Sequence, residues 1–288
     1  VTWADVQTTQ SLQDGYLPIP SVHWTHPRFK LDVTAFAEGE PDDARLVARY
    51  RLTNTTRASA DYTLRLRARP LQVNPPSQFL NTTGGVSPIE TIRVVPNAFD
   101  LDGRRVAFSR DATRRQASMF ASQERPESVP ASHPSISVKD QDRLASAALD
   151  YTVRLAPGES FDLAWASTLS GAGGIDAANA AERQQSVAGV WREKLDRVRI
   201  TVPAQGQRVV DTLRTSLAHM LISRVGPRLQ PGTRSYARAW IRDGAMINEG
   251  LLRMGRDDVA EDFLRWYAPY QFASGKVPCC VDDRGSDP

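Results

Sequence analysis

The densest run of residues able to do chemistry is Arg234-Ser235-Tyr236-Ala237-Arg238-Ala239-Trp240-Ile241-Arg242-Asp243-Gly244. It falls where a Gly/Pro loop (225–237) gives way to helical periodicity, and loops held by rigid elements are where binding sites concentrate. Trp240 and Tyr236 offer flat apolar faces that suit the C–H groups of a pyranose. Arg242 and Asp243 offer fixed donors and acceptors for vicinal hydroxyls. A structural reading stands beside this one. Asp243 in a first helical turn complements the helix dipole, and Arg242-Asp243 is also an ordinary ion pair in waiting. Arg242, Met246 and Glu249 share one helix face, which places Glu249 to orient Arg242.

A second cluster runs from Trp266 to Gly285. Its aromatic part (Trp266, Tyr267, Tyr270, Phe272) reads as helix core, with Gln271 and the Asp282-Asp283-Arg284 loop as a rim. Cys279-Cys280 reads as a vicinal disulfide or as two buried thiols. With only these two cysteines there is neither a disulfide framework nor a repeated C-x-x-C metal site. His23 and His26 flank Trp24 at a spacing of three. On a turn that spacing suits a metal, but no third ligand is near, so the expectation is a solvated loop or a packed pair. His219 reads as a helix core or edge residue, and His133 lies in a Ser/Pro-rich loop. No nucleophile elbow, phosphate loop or dinucleotide fingerprint occurs, and neither a metal nor a cofactor is expected.

The elements that must position these residues change character near residue 172. Before it the hydrophobic period is two. Leu46, Ala48, Tyr50 and Leu52 alternate with Arg45, Val47, Arg49 and Arg51; Tyr62, Leu64, Leu66 and Ala68 alternate with Thr63, Arg65, Arg67 and Arg69. Joined by Thr53–Asp61, the two segments read as an antiparallel hairpin with one buried face. Leu149 to Leu155 and Phe161 to Trp165, with Ala156-Pro157-Gly158-Glu159 between them, read as a second hairpin. Weaker strands fit 30–37, 86–95, 104–109 and 116–121, and 122–146 reads as a long loop. The arginine-rich strand face (Arg45, Arg49, Arg51, Arg65, Arg67, Arg69) reads as the solvated side of a sheet, with an anion grip as the alternative. The whole suggests a β-sandwich.

Ser170-Gly171-Ala172-Gly173-Gly174 then punctuates the chain. A helix capped by Asp176 follows to about Arg197, with Val187, Val190, Trp191 and Leu195 on one stripe. A second, about 206–223, presents Val210, Leu213, Leu217 and Met220-Leu221. A third, about 241–254, stops at Gly255, and a fourth starts at Asp257 or Asp258 and buries Val259, Phe263, Trp266, Tyr267 and Tyr270. Helices joined by long loops suit a barrel or solenoid better than a compact bundle.

Composition narrows the classes. The 288 residues are 41% hydrophobic and 24% charged, which excludes bulk disorder. No apolar run approaches the ~18–20 residues of a membrane helix, so no membrane partner is expected. Thirty-six basic against 33 acidic residues, a net charge of +3, is too balanced to imply a nucleic-acid partner. Asn54-Thr55-Thr56 and Asn81-Thr82-Thr83 match the glycosylation pattern. Nothing in the chain assigns a compartment, and the start at Val1-Thr2-Trp3 reads as a cut or processed end.

The segment Tyr236-x-x-x-Trp240-Ile241-Arg242-Asp243-Gly244, then Phe263-Leu264-x-Trp266 and Gly275-Lys276-Val277-Pro278, resembles the opening of the (α/α)6-barrel, or six-hairpin, glycoside hydrolases of the glucoamylase type. Many of these carry an N-terminal β-supersandwich, a linker helix and then the barrel. The resemblance implies a supersandwich over 1–170, a linker helix over 171–200 and the first hairpins of an incomplete (α/α)6 barrel over 201–288. It implies that Arg242 and Asp243 hydrogen-bond the terminal sugar of a carbohydrate substrate, with Trp240 and Tyr236 shaping the pocket. The family's acid and base carboxylates lie further along the barrel, and no residue here matches them. Inverting relatives need such a pair ~6.5–9.5 Å apart. The chain is therefore expected to be inactive alone and to want the C-terminal remainder of the same protein, covalent or cleaved, as its partner. The alternative is a non-catalytic glycan-binding or protein-interaction module.

Overall fold

The computed structural model describes residues 1–74, 85–119, 127–130, 136–169, 175–233, 236–283 and 285–287. The sequon at Asn81, His133 and the glycine-rich punctuation at 171–174 lie outside them. The strands in chain order are β1 (Gln7–Gln13), β2 (Leu17–His26), β3 (Phe29–Glu38), β4 (Arg45–Asn54), β5 (Ala60–Ala68), β6 (Gln72–Asn74), β7 (Gly85–Val86), β8 (Thr91–Val95), β9 (Ala98–Leu101), β10 (Arg104–Phe108), β11 (Arg114–Ser118), β12 (Glu127–Pro130), β13 (Ile136–Lys139), β14 (Ser146–Leu155), β15 (Ser160–Thr168), β16 (Ala239–Trp240), β17 (Cys280–Asp282) and β18 (Gly285–Asp287). The α-helices are α1 (Ala180–Leu195), α2 (Gln207–Ser223), α3 (Ile241–Arg253) and α4 (Asp257–Tyr267). Two compact units result. One comprises Val1–Gln13, Ile19–Val73 and Val86–Ala188, the other Asp14–Pro18, Asn74–Gly85 and Gly189–Pro288.

The first unit is a sandwich of unequal sheets. The larger has nine strands in the order β1-β2-β3-β4-β15-β10-β9-β8-β13, the smaller four in the order β12-β11-β14-β5. Their facing sides share one core, with Leu31, Leu52 and Leu163 from the larger sheet and Leu64, Leu149 and Tyr151 from the smaller. Period-two alternation produces this because each strand puts every second side chain inward.

Both expected hairpins prove to be crossings between sheets. β4 pairs with β3 and β15, whereas β5 pairs with β14. β14 and β15 likewise lie in different sheets. Two amphipathic strands in succession bury more apolar area face to face than edge to edge, so the chain arches from layer to layer. The arginine-rich face is consequently split between the two sheets. Arg51 pairs with Asp162, and Arg65 pairs with the buried Asp150. The stretch expected as a long loop over 122–146 contains β12 and β13.

The outer face of the larger sheet is also buried at one end. Val47 is fully buried and Phe36 nearly so, on the side opposite Leu52. The part of α1 up to Ala188 lies over them, with Arg183 ion-paired to Glu38 and Arg49 hydrogen-bonded to Gln184. α1 starts at Ala180, after a turn in which Asp176 Oδ1 accepts the Ala178 N–H at 2.7 Å. Its buried residues are Ala180, Gln184, Ala188 and Leu195; of the expected stripe Leu195 is buried, whereas Val190 is exposed.

In the second unit α2 buries Val210, Leu217 and Ala218, while Leu213 and His219 are exposed. α3 ends as expected: Gly255 takes φ +69°, and the Arg256 N–H returns to the Leu251 carbonyl at 2.8 Å. α4 buries Val259, Ala260, Phe263 and Tyr267. The helices meet at Gly244, where a Cβ would stand 2.3 Å from Phe263 Cζ, so only glycine admits that ring.

Candidate functional site

The segment that carries the candidate residues enters α3 from a small antiparallel sheet, β16-β17-β18. Ala239 sits opposite Val281 and Trp240 opposite Cys280; Cys280 sits opposite Asp287. The Ile241 N–H bonds to the Cys279 carbonyl at 3.0 Å, so the ladder runs into the first residue of the helix. The polar stretch after Pro278, expected as loop, is thus the support of the site.

Arg238 fastens that support. Its side chain is 9% exposed, and its Nε lies 3.0 Å from Asp282 Oδ2, itself 7% exposed. Its Nη2 lies 2.6 Å from Asp287 Oδ2. The guanidinium also stands over the Trp240 ring, 5.5 Å from its centroid. The bond to Arg238 holds the Asp287 carboxyl below the usual carboxylate range. Arg238 stands inside the cluster read from the sequence, yet nothing local marks it, because both partners lie far along the chain.

Trp240 is the N-cap of α3 in extended conformation, with no side-chain cap bond. Asp243 stands in the first turn of the helix, where a carboxylate complements the helix dipole. Arg242 is exposed and Asp243 half-buried. Neither forms a hydrogen bond or ion pair among the described residues, so the ion pair between them is not made. Glu249, expected to orient Arg242, instead pairs with Arg253 at 2.7 Å. The i, i+4 geometry with the acid first favours that partner. Tyr236 is exposed, and the buried Trp240 Nε1 has no hydrogen-bond partner. The four candidates thus cluster in sequence at one helix entrance, with no hydrogen-bond or ion-pair partner for their polar side chains among the described residues. Arg234 and Arg284 lie outside the described residues.

The rim residues of the second cluster are used locally. Gln271 Nε2 donates to the Gly275 carbonyl at 2.8 Å, and Asp283 pairs with Arg228 at 2.6 Å. The cysteines are free thiols with Sγ atoms 3.0 Å apart; Cys279 is exposed and Cys280 buried. Burial pushes the Cys280 thiol up to about 12.

The two histidines expected on a turn lie in strand β2. Their odd spacing sends them to opposite faces. His23 meets Asp32 across the strand pair, while His26 stacks on Phe29 at 4.8 Å. A shared metal is excluded by that divergence. In the same unit the core opens between the sheets into a cleft of about 660 Å³, lined by Trp24, Phe29, Tyr50 and Tyr62 with His26 and Arg28.

Among solved structures, a bacterial glucoamylase complexed with acarbose superposes on 99% of the chain with a TM-score of 0.59 at 9% identity. The chain shares its fold with part of that glucoamylase. It spans 44% of the glucoamylase's length. A family GH92 α-mannosidase from Bacteroides thetaiotaomicron matches over 97% of the chain and 38% of its own, with a TM-score of 0.32 at 13% identity. No family model and no curated protein sequence matches.

Proposed function

We propose that this chain is the N-terminal part of a glycoside hydrolase, a β-supersandwich followed by the opening hairpins of an (α/α)6 barrel. The proposal extends to a sugar-recognition segment at the entrance of α3. Arg242 and Asp243 hold hydroxyls of a terminal sugar, and Trp240 and Tyr236 form the walls. The acid and base carboxylates come from outside these 288 residues. The fold shared with a bacterial glucoamylase over 99% of the chain carries this reading. Arg242 and Asp243 support it by their place at the helix entrance, where neither side chain has a partner among the described residues.

The test is Asp243→Asn in the complete protein, assayed on a panel of α- and β-glycosides with acarbose as an inhibitor probe. Loss of charge-assisted bonds to a sugar hydroxyl is worth about 2–3 kcal/mol, so kcat/KM falls about 30- to 150-fold with an unchanged melting temperature. Equal turnover by the variant would discard the assignment.

The aromatic cleft of the sandwich favours a second reading, a glycan-binding module without catalysis. Titration of tryptophan fluorescence with maltotriose, cellotriose and mannotriose, in the native chain and in Trp24→Phe, separates the two. Saturable quenching in a protein with no glycosidase activity supports the module.

A further inference from the structure

Ser11, His23 and Asp32 lie on β1, β2 and β3, neighbours in the larger sheet. His23 Nδ1 is 2.6 Å from Asp32 Oδ1, and His23 Nε2 is 2.8 Å from Ser11 Oγ. An ionised carboxylate only accepts hydrogen bonds, so in the neutral ring Nδ1 carries the proton and Nε2 offers its lone pair to the seryl O–H. This is the tautomer that a general base needs to take a proton from serine, and such relays are recognised by geometry and role, not by position in the chain.

The row continues behind the relay. His23 is directly opposite Asp32, Asp32 opposite Arg51, and Arg51 opposite Asp162. Arg51 holds Asp162 through two bonds of 3.0 Å. The strand register thus fixes Asp32, and through it the imidazole. The side chain of His23 is 32% exposed and Ser11 is exposed, so a reagent reaches both. β1 is the edge of the sheet among the described residues, so N–H groups on its outer side lie outside the ladder, where an oxyanion can meet them.

We propose that Ser11 is a base-activated nucleophile that accepts the acyl group of small, unhindered esters. The inference stands on the sandwich alone and is independent of the sugar-binding reading. Ser11 Oγ forms a bond to the ester carbonyl carbon while its proton passes to His23 Nε2. Collapse of the tetrahedral adduct breaks the ester C–O bond, and the departing alcohol takes that proton. Water then repeats the sequence with His23 as base, releasing the carboxylic acid and restoring Ser11. Asp32 is a positioning residue. α1 borders this face, its Gln184 bonded at 2.7 Å to Gln13, two residues past Ser11 on the same side of β1, so short acetyl esters are the class the relay accepts.

The test treats the full chain with an alkyl fluorophosphonate, maps the adduct by peptide mass, and follows 4-methylumbelliferyl acetate hydrolysis. One adduct is expected on Ser11, with fluoride released. Ser11→Ala abolishes it, and His23→Gln slows labelling and hydrolysis at least tenfold. Asp32→Asn removes the downfield Nδ1–H proton resonance and slows labelling, and Asp32→Glu restores both in part, which a purely structural role would not do. Circular dichroism and melting confirm that each variant is folded. No adduct at Ser11, or labelling as fast in His23→Gln as in the native chain, would overturn the proposal.

Discussion

The side-chain amide of Asn54, at the end of β4, donates to the backbone carbonyl of Leu155, at the end of β14, at 2.9 Å. These strands belong to different sheets, so the bond ties one layer of the sandwich to the other. The same amide donates to the carbonyls of Ala58 and Ala156, and its oxygen accepts from Thr56 and from the Tyr62 hydroxyl. The backbone of Asn54 adds two more bonds, to Glu159 and Gly158. One fully buried residue thus fastens both crossings between the sheets.

Replacing Asn54 should therefore cost more than a typical surface change. Asn54→Ala strands the Leu155 carbonyl and part of the Tyr62 hydroxyl's bonding, at about 2–4 kcal/mol. Asn54→Asp removes the donors while keeping the shape, and destabilises comparably at neutral pH, because a carboxylate then faces carbonyl oxygens. Urea unfolding reads both. A shift under about 0.5 kcal/mol for either would remove Asn54 from this role. The burial also closes the sequon at Asn54 to any transferase acting on the folded domain.

The crossings explain how far the sequence could be read. Alternation at Leu46–Leu52 and Tyr62–Ala68 identifies which side chains face inward, but not which strand lies alongside. A hairpin and an arch have the same pattern. The register that sets Ser11 against His23 and Asp32 was hidden for the same reason, and β2 was obscured by its prolines and polar residues. Helices were legible where the apolar stripe was strong, as in α4. In α1 Leu195 was legible, but the rest of the buried face is Ala180, Gln184 and Ala188, small or polar residues that a hydrophobic stripe does not mark. β16, β17 and β18 are too short for alternation to register, so the sheet under the candidate site was read as loop.

The neighbouring thiols should behave differently. A thiolate is the nucleophile, and the Cys280 thiol is buried and raised to about 12. Its thiolate is absent at neutral pH and forms only as the pH climbs towards that value. Iodoacetamide at pH 8 should add one carbamidomethyl group to the native chain, on the exposed Cys279, and two after denaturation. Equal modification of both in the native state would contradict the burial of Cys280.

Arg238 supplies the link between the support and the candidate site, and its removal separates folding from recognition. Arg238→Met keeps much of the stem volume but takes from the buried Asp282 carboxylate the guanidinium 3.0 Å away. Breaking one side of a buried pair costs about 3–5 kcal/mol. Asp287 is half-exposed, so Asp287→Asn should cost far less. Its carboxyl is lowered by Arg238, so that pair's contribution is intact at neutral pH and is lost as the pH falls below the usual carboxylate range. Arg238→Lys keeps the charge but loses the planar guanidinium that bonds Asp287 while lying beside Asp282, and should fall between the two. The double variant Arg238→Met/Asp282→Asn should recover part of the loss, since the buried carboxylate charge is then removed together with the guanidinium that faces it. If it is as unstable as the sum of the single variants, Arg238 and Asp282 are not coupled, and the sheet beneath Trp240 is held by its backbone ladder alone.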